Sequence, residues 1–338
     1  MSRKLASIQQ IAEIQAIPNS DNLAHYRING WWVVDRINQY QVGDLVIYLE
    51  IDSWVPTELA PFLSKGKEPR EFNGIKGERL RTIKLRGALS QGLLLSVSVI
   101  NHAFPIELAI IGTDVTAELS ITKWERPIPA QLAGQVRGNF PSFLRKTDQE
   151  RVQNINLSDY YGQSFEVTEK LDGSSMTIYY NEGQWGVCSR NIDLKLDQEG
   201  NAFVDMFNRL LPQLQAGMPD NAPNFAIQGE LIGGRIQGNP YNLSDYAFYV
   251  FSVYDIDNQE YYLPFVAQST ASHFKLNYVP VIGSVTLLDE TTEQLLSLAE
   301  GKSLLNLNAE REGIVLKAVA NQSSFKCISN KWLMKGND

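Results

Sequence analysis

Lys170-Leu171-Asp172-Gly173 sets an amine two residues from a carboxylate, on a turn between two alternating apolar runs, Phe165 to Thr168 and Met176 to Tyr180. Glycine lets such a turn approach a ligand closely, and the amine then suits a nucleophile. The bland alternative is a hairpin with Asp-Gly at its tip and a solvated lysine beside it. Histidine offers little competition for the chemistry. His25, His102 and His273 are scattered, with no partner at ligand spacing, so histidine-based nucleophilic catalysis and a zinc site lack material. The burden falls on lysine, arginine and carboxylates.

Such groups recur at the ends of later apolar runs. Ser189-Arg190-Asn191 follows one, Gln228-Gly229-Glu230-Leu231 closes another, Glu312-Gly313-Ile314-Val315-Leu316-Lys317 opens a third, and Ser324-Phe325-Lys326 lies in the last. Charges on strands that otherwise read as core need partners, either one another or a ligand. Any single one reads equally as a structural ion pair.

The elements that must position these groups fall into two halves. At 338 residues the chain is long for one domain and comfortable for two. Residues 5–125 carry short β-rich runs: Tyr26 to Val34, Gly43 to Ile51, Arg81 to Leu85 and Gln91 to Val97. Their even spacing predicts a small barrel of the OB type. The run Leu5, Ile8, Ile11, Ile14, Ile17 fits a helix as well as strand, with β-branched content favouring strand. Lys65, Lys67, Arg70, Lys76, Arg79, Arg81, Lys84 and Arg86 outnumber Glu68, Glu71 and Glu78. That patch either tracks phosphates or is a solvated loop. Pro127, Pro129, Gly134, Gly138 and Pro141 then interrupt regular structure, so the domains are set at 1–130 and 131–338. In the second half, strands are predicted at Thr177–Tyr180, Gln184–Ser189, Phe225–Leu231, Ala247–Tyr254 and Gly313–Ala318. A helix is predicted over 201–211, ended by Pro212, and a second over Thr291–Leu298. The class is α+β with antiparallel sheets.

The net charge of −8 argues against coating nucleic acid through bulk positive charge, though not against a local basic groove. Cys188 and Cys327 make no metal-spaced pair and no disulfide framework, which fits a reducing cytosol. No stretch has the length of a membrane span, and the start lacks an apolar signal core. The expectation is a cytoplasmic protein, or a nucleoplasmic one in a eukaryote, neither secreted nor membrane-bound.

In order, Lys170 to Gly173, Ser189 to Asn191, Gly229-Glu-Leu-Ile-Gly233, Phe248-Tyr-Val-Phe251, Glu312 to Lys317 and Ser324 to Lys326 resemble motifs I, Ia, III, IIIa, IV and V of the covalent nucleotidyltransferases, the polynucleotide ligases and mRNA capping enzymes. Gly229 to Pro240, Lys146-Thr147-Asp148 and the strand-rich front module narrow the resemblance to ATP-dependent RNA ligases of the Deinococcus and Naegleria type. DNA ligases and capping enzymes usually carry their OB domain behind the catalytic one, and little sequence follows Lys326 here.

The resemblance implies an OB-like module followed by an antiparallel-sheet, ATP-grasp-like nucleotidyltransferase domain that joins 3′-hydroxyl to 5′-phosphate ends through a lysyl-AMP. Lys170 is then the nucleophile, and Lys326 holds the α-phosphate. Glu312 and Glu230 ligate Mg²⁺ or Mn²⁺ with Asp172 nearby. Glu169, Gly173, Arg190, Lys317, Lys146 and Arg151 line the nucleotide. Phe251 stacks on adenine, or is plain core. Lys326, Lys317 and the metal would favour the neutral amine that a nucleophilic lysine needs. The implied substrate is a nicked duplex with RNA on the 3′-hydroxyl side, handled by a monomer. One departure is Ile328, where related RNA ligases carry a second lysine, and Lys331 is the candidate substitute. The rival readings are a DNA ligase, a capping guanylyltransferase, and a nucleic-acid-binding protein without chemistry.

Overall fold

In the computed structural model, residues 4–18, 20–100, 110–124 and 134–335 are described. They fall into two compact units, one drawn from Met1–Pro127 with Leu333–Asp338, the other from Ile128–Trp332. The expected boundary at residue 130 lies outside the described residues.

The first unit is built from short, mostly half-buried strands. The early isoleucine run forms two of them, Ala6–Gln10 and Glu13–Ala16. Ala6–Gln10 pairs with Leu45–Leu49, which also pairs with Leu93–Ser96, all antiparallel. Aliphatic side chains then pack: Ile8, Ile47 and Leu49 share one buried cluster with Val55. The run Tyr26 to Val34 is two strands, not one. Leu23–Ile28 turns back into Trp31–Arg36 through Asn29 and Gly30, with Asn29 at φ 51°. Asparagine tolerates that left-handed conformation, which makes Asn-Gly a hairpin signal.

The second unit holds two sheets. One has eight strands, among them Ser174–Asn181, Phe225–Ile232 and Ala247–Asp255, in the order 136–139, 192–194, 184–188, 174–181, 225–232, 247–255, 260–261, with 277–278 also on 247–255. The other has five, in the order Glu150–Arg151, Ser324–Ile328, Gly313–Ala318, Ser164–Lys170, Val281–Thr286. Pairing is antiparallel except that 150–151 runs parallel to 325–326 and 277–278 parallel to 249–250. With few helices, the unit is α+β.

The helix over Ala202–Gly217 starts on Asn201, whose side chain accepts from Phe203 N and Val204 N, and it passes Pro212 where a stop was expected. Asn208, the residue whose carbonyl loses its donor, and Pro212 are both exposed. The freed carbonyl is thus on an exposed residue open to solvent, while Leu214, two residues beyond Pro212, stays buried in the core. The predicted second helix is Thr292–Ala299, capped by Thr291 and Gln294 in a capping box. A helix at Pro264–His273 was not anticipated. It buries only Pro264, Ala267 and Ala271, too small a stripe to stand out in sequence.

Candidate active site

The Asp172-Gly173 turn is not the tip of a hairpin. The strand before it, Ser164–Lys170, belongs to the five-stranded sheet, and the strand after it, Ser174–Asn181, belongs to the eight-stranded one. Gly173 makes that passage possible by packing. A Cβ there would lie 2.5 Å from the Leu231 carbonyl oxygen and 2.6 Å from Ile232 Cγ2. Its glycine is thus required by the neighbouring strand.

Cross-strand register places the chemistry on one face of the five-stranded sheet. Residues directly opposite, and those two apart along a strand, point the same way. Lys170 lies opposite Gly313, which lies opposite Ile328. One row along, Thr168, Val315, Lys326 and Arg151 stand side by side, and the next row brings Glu166, Lys317 and Ser324 together. The same alternation turns Glu169 away from Lys170. Glu169 is buried, accepts from Leu304 N at 2.7 Å, and is pushed up by that burial. Its carboxylate thereby ties down the 303–304 loop.

Lys170 Nζ donates to Glu312 Oε2 at 2.7 Å. Burial disfavours its charge, but Glu312, Glu230 and Asp172 outweigh burial and hold the ammonium above its ordinary value. The immediate neighbours are therefore acidic, where cationic ones were expected. Glu230 comes from the facing sheet, on the strand opposite Ser175. Burial pushes its carboxyl up to about 8; Lys170 and Arg190 pull it down, while Glu312 and Asp172 push it further up.

Lys317 sits apart from this cluster. It donates to the Phe251 carbonyl and, at 2.7 Å, to Ser252 Oγ, and burial lowers its ammonium to about 8. Phe251 is the extra residue of a β-bulge, since Gln228 pairs with Ser252 but Gly229 with Val250. Lys317 thus fixes the bulge that carries Phe251. Phe251 is half-buried among Leu171, Ile232, Tyr241 and Val279.

The remaining expected residues form a second group. Arg190 Nη2 grips both oxygens of Asp148 at 3.0 Å, and Lys146 Nζ donates to Asn191 Oδ1 at 2.7 Å. Residues 146–148 are therefore laced to the 189–191 turn. Lys331, the candidate substitute for a second lysine at position 328, pairs with Glu300 at 2.7 Å. Sequence reasoning missed Tyr241. Its hydroxyl accepts the Asp172 N–H, while Gln237 Nε2 donates to the Gly173 carbonyl at 3.2 Å. The Gly233–Pro240 run pointed to this loop; nothing singled out the tyrosine.

Among the described residues, no three His, Cys, Asp or Glu side chains converge into a ready metal cage. Glu312, Glu230 and Asp172 nonetheless all lie close enough to Lys170 to act on its charge. The donor chemistry still suits Mg²⁺ or Mn²⁺, which bind through one or two carboxylates and take phosphate oxygens and water for the rest.

An RNA ligase family model matches residues 163–332, and an OB-fold domain model matches residues 5–97. No curated protein matches the chain. Among solved structures, an apo mutant of Naegleria gruberi RNA ligase is 41% identical over 98% of this chain and 98% of its own, with a TM-score of 0.89. The same enzyme with PPi is 42% identical over 99% of each chain, with a TM-score of 0.88. A mutant of it with ATP and Mn is 41% identical over 98% of this chain and 99% of its own, at 0.88.

Proposed function

Because this chain belongs to the RNA ligase family, we propose that Lys170 is its nucleophile and that it seals nicked duplexes, as a monomer, with RNA on the 3′-hydroxyl side. The activity is ATP-dependent RNA ligation through a lysyl-AMP, with a divalent metal. Relatives solved with ATP, AMP, PPi and Mn support that cofactor set. The observation that carries the reading is the Lys170–Glu312 pair facing Glu230 across two sheets.

Lys170 Nζ attacks the α-phosphorus of ATP, an N–P bond forms, and pyrophosphate leaves. A 5′-phosphate oxygen then displaces Lys170, and the 3′-hydroxyl displaces AMP. Each step is an in-line displacement, governed by positioning and charge neutralisation. The ammonium must first shed the proton it holds against Glu312 Oε2, and its grip weakens as that carboxylate's charge is drawn elsewhere. A divalent ion held by Glu312 and Glu230 would draw off that charge and polarise the phosphate. Lys326, one row from Lys170, is suited to the α-phosphate, and Arg151 stands beside it. Arg190, gripped by Asp148, is suited to the ribose or the 5′-phosphate.

Lys170→Met should abolish covalent labelling by ATP carrying label at its α-phosphate. Persisting label would move the nucleophile elsewhere. Sealing of nicks with ribose or deoxyribose placed at either terminus tests the substrate, and equal sealing of all-DNA nicks would reject the RNA preference.

A further inference from the structure

We infer that Arg81, in the first unit, is a binding residue for one backbone phosphate of the nucleic-acid substrate. Leu80 and Thr82 on either side of it are buried, so its backbone is held firmly in the link between strands Ile75–Arg79 and Thr82–Leu85. Three arginines gather here with two carboxylates. Arg79 Nη2 and Nε take Asp52 Oδ1 at 2.6 and 3.2 Å, and Arg70 takes Glu78, through Nε at 3.0 Å. Among the described residues Arg81 makes no hydrogen bond or ion pair, and its Nε is closed off from solvent without a partner. Half-buried guanidinium without an anion is costly, the more so beside two others. Burial, then Arg79 and Arg70, lower its pKa, and Glu78 and Asp52 only partly compensate.

The surroundings are rigid. Arg79 lies over the Trp124 ring at 4.0 Å, Trp124 packs on Phe72 and Phe72 on Trp54, and Trp54 Nε1 donates to the Ile75 carbonyl. Asp52 and Glu78 are hydrogen-bonded by Arg79 and Arg70, and only their more distant charge acts on Arg81. A planar fork of donors matches two oxygens of one phosphate. The identity of that anion rests on the ligase reading; the need for one does not.

The test is binding of a nicked duplex with ribose at the 3′-hydroxyl side, over a series of salt concentrations, to the full chain, Arg81→Gln and Arg81→Lys. Arg209→Gln, which removes a cation from an exposed pair with Asp245 in the other unit, is the charge-matched control. Arg81→Gln should bind roughly tenfold more weakly at fixed moderate salt. Its plot of log affinity against log salt should lose about 0.9 in slope, the share of one phosphate. Arg81→Lys should keep the parent slope, and Arg209→Gln should match the parent throughout. An unchanged slope in Arg81→Gln, or an equal loss in Arg209→Gln, overturns the assignment. Labelling of Lys170 in the same preparations separates the two readings. A parent that labels but shows no Arg81 effect rejects this site alone, whereas a parent that fails to label rejects the ligase.

Discussion

Tyr241→Phe removes one oxygen from beneath the nucleophile's turn and nothing else. The tyrosine is 5% exposed, and its hydroxyl accepts the Asp172 N–H. The ring would stay in its cluster with Leu171, Ile232 and Val279, so no cavity term arises. What remains is a part-buried N–H without an acceptor, which costs about 1–3 kcal/mol. In a unit of this size that is a fall in melting temperature of roughly 2–12 °C. The kinetic effect is the sharper test. The same N–H fixes the turn between Lys170 and the facing sheet, so losing it lets the amine drift from line with its target. If half or more of the lost energy is positional, adenylylation of Lys170 slows by about ten-fold. Single-turnover labelling with saturating ATP reads this directly. A variant that melts lower yet labels at the parent rate would refute the positioning argument, and one unchanged in both would refute the hydrogen bond.

Three other outcomes are expected. Glu230, ordinarily near 4.5 but pushed up to about 8, is neutral in the unliganded protein below that pH. A cation needs the carboxylate, so Mn²⁺ affinity should climb as pH approaches 8 and level off above it, with proton release seen calorimetrically; a flat profile would reject it. The raised folded value also means the fold binds the proton more tightly than the unfolded chain. Glu230 therefore erodes stability as pH rises from 4.5 to 8, and Glu230→Gln should remove that decline in urea titrations. Pro212→Ala should stabilise the Ala202–Gly217 helix by about 1–2 kcal/mol, less than the full ~3 kcal/mol for an interior proline because the freed carbonyl is solvated. Thermal unfolding checks it, and a lower melting point would show that the proline is needed where it stands.

Much of the site was legible because strands advertise their faces. Lys170, Lys326 and Glu312 were found as charges at the ends of apolar runs. That the Glu169 side chain faces away from Lys170 was also legible, since adjacent residues on a strand cannot share a face. Lys317 was read as lining the nucleotide and favouring a neutral Lys170, and its sequence position says nothing of the bulge in the other sheet whose carbonyl it meets. The lysine's acidic setting was equally hidden: Glu230 and Glu312 are 82 residues apart, and only the meeting of two sheets brings them to one amine. The helix Pro264–His273 lacked a contrasting face to read.

The passage of the chain between sheets at Asp172 leaves the reaction dependent on two ladders that align independently. A slip of one position along Gly313–Ala318 would swing Lys170 onto the hydrophobic side now held by Glu169 and leave Glu230 undisturbed. The same slip would take Phe165 and Val167 out of their buried cluster, so activity and stability should be lost together.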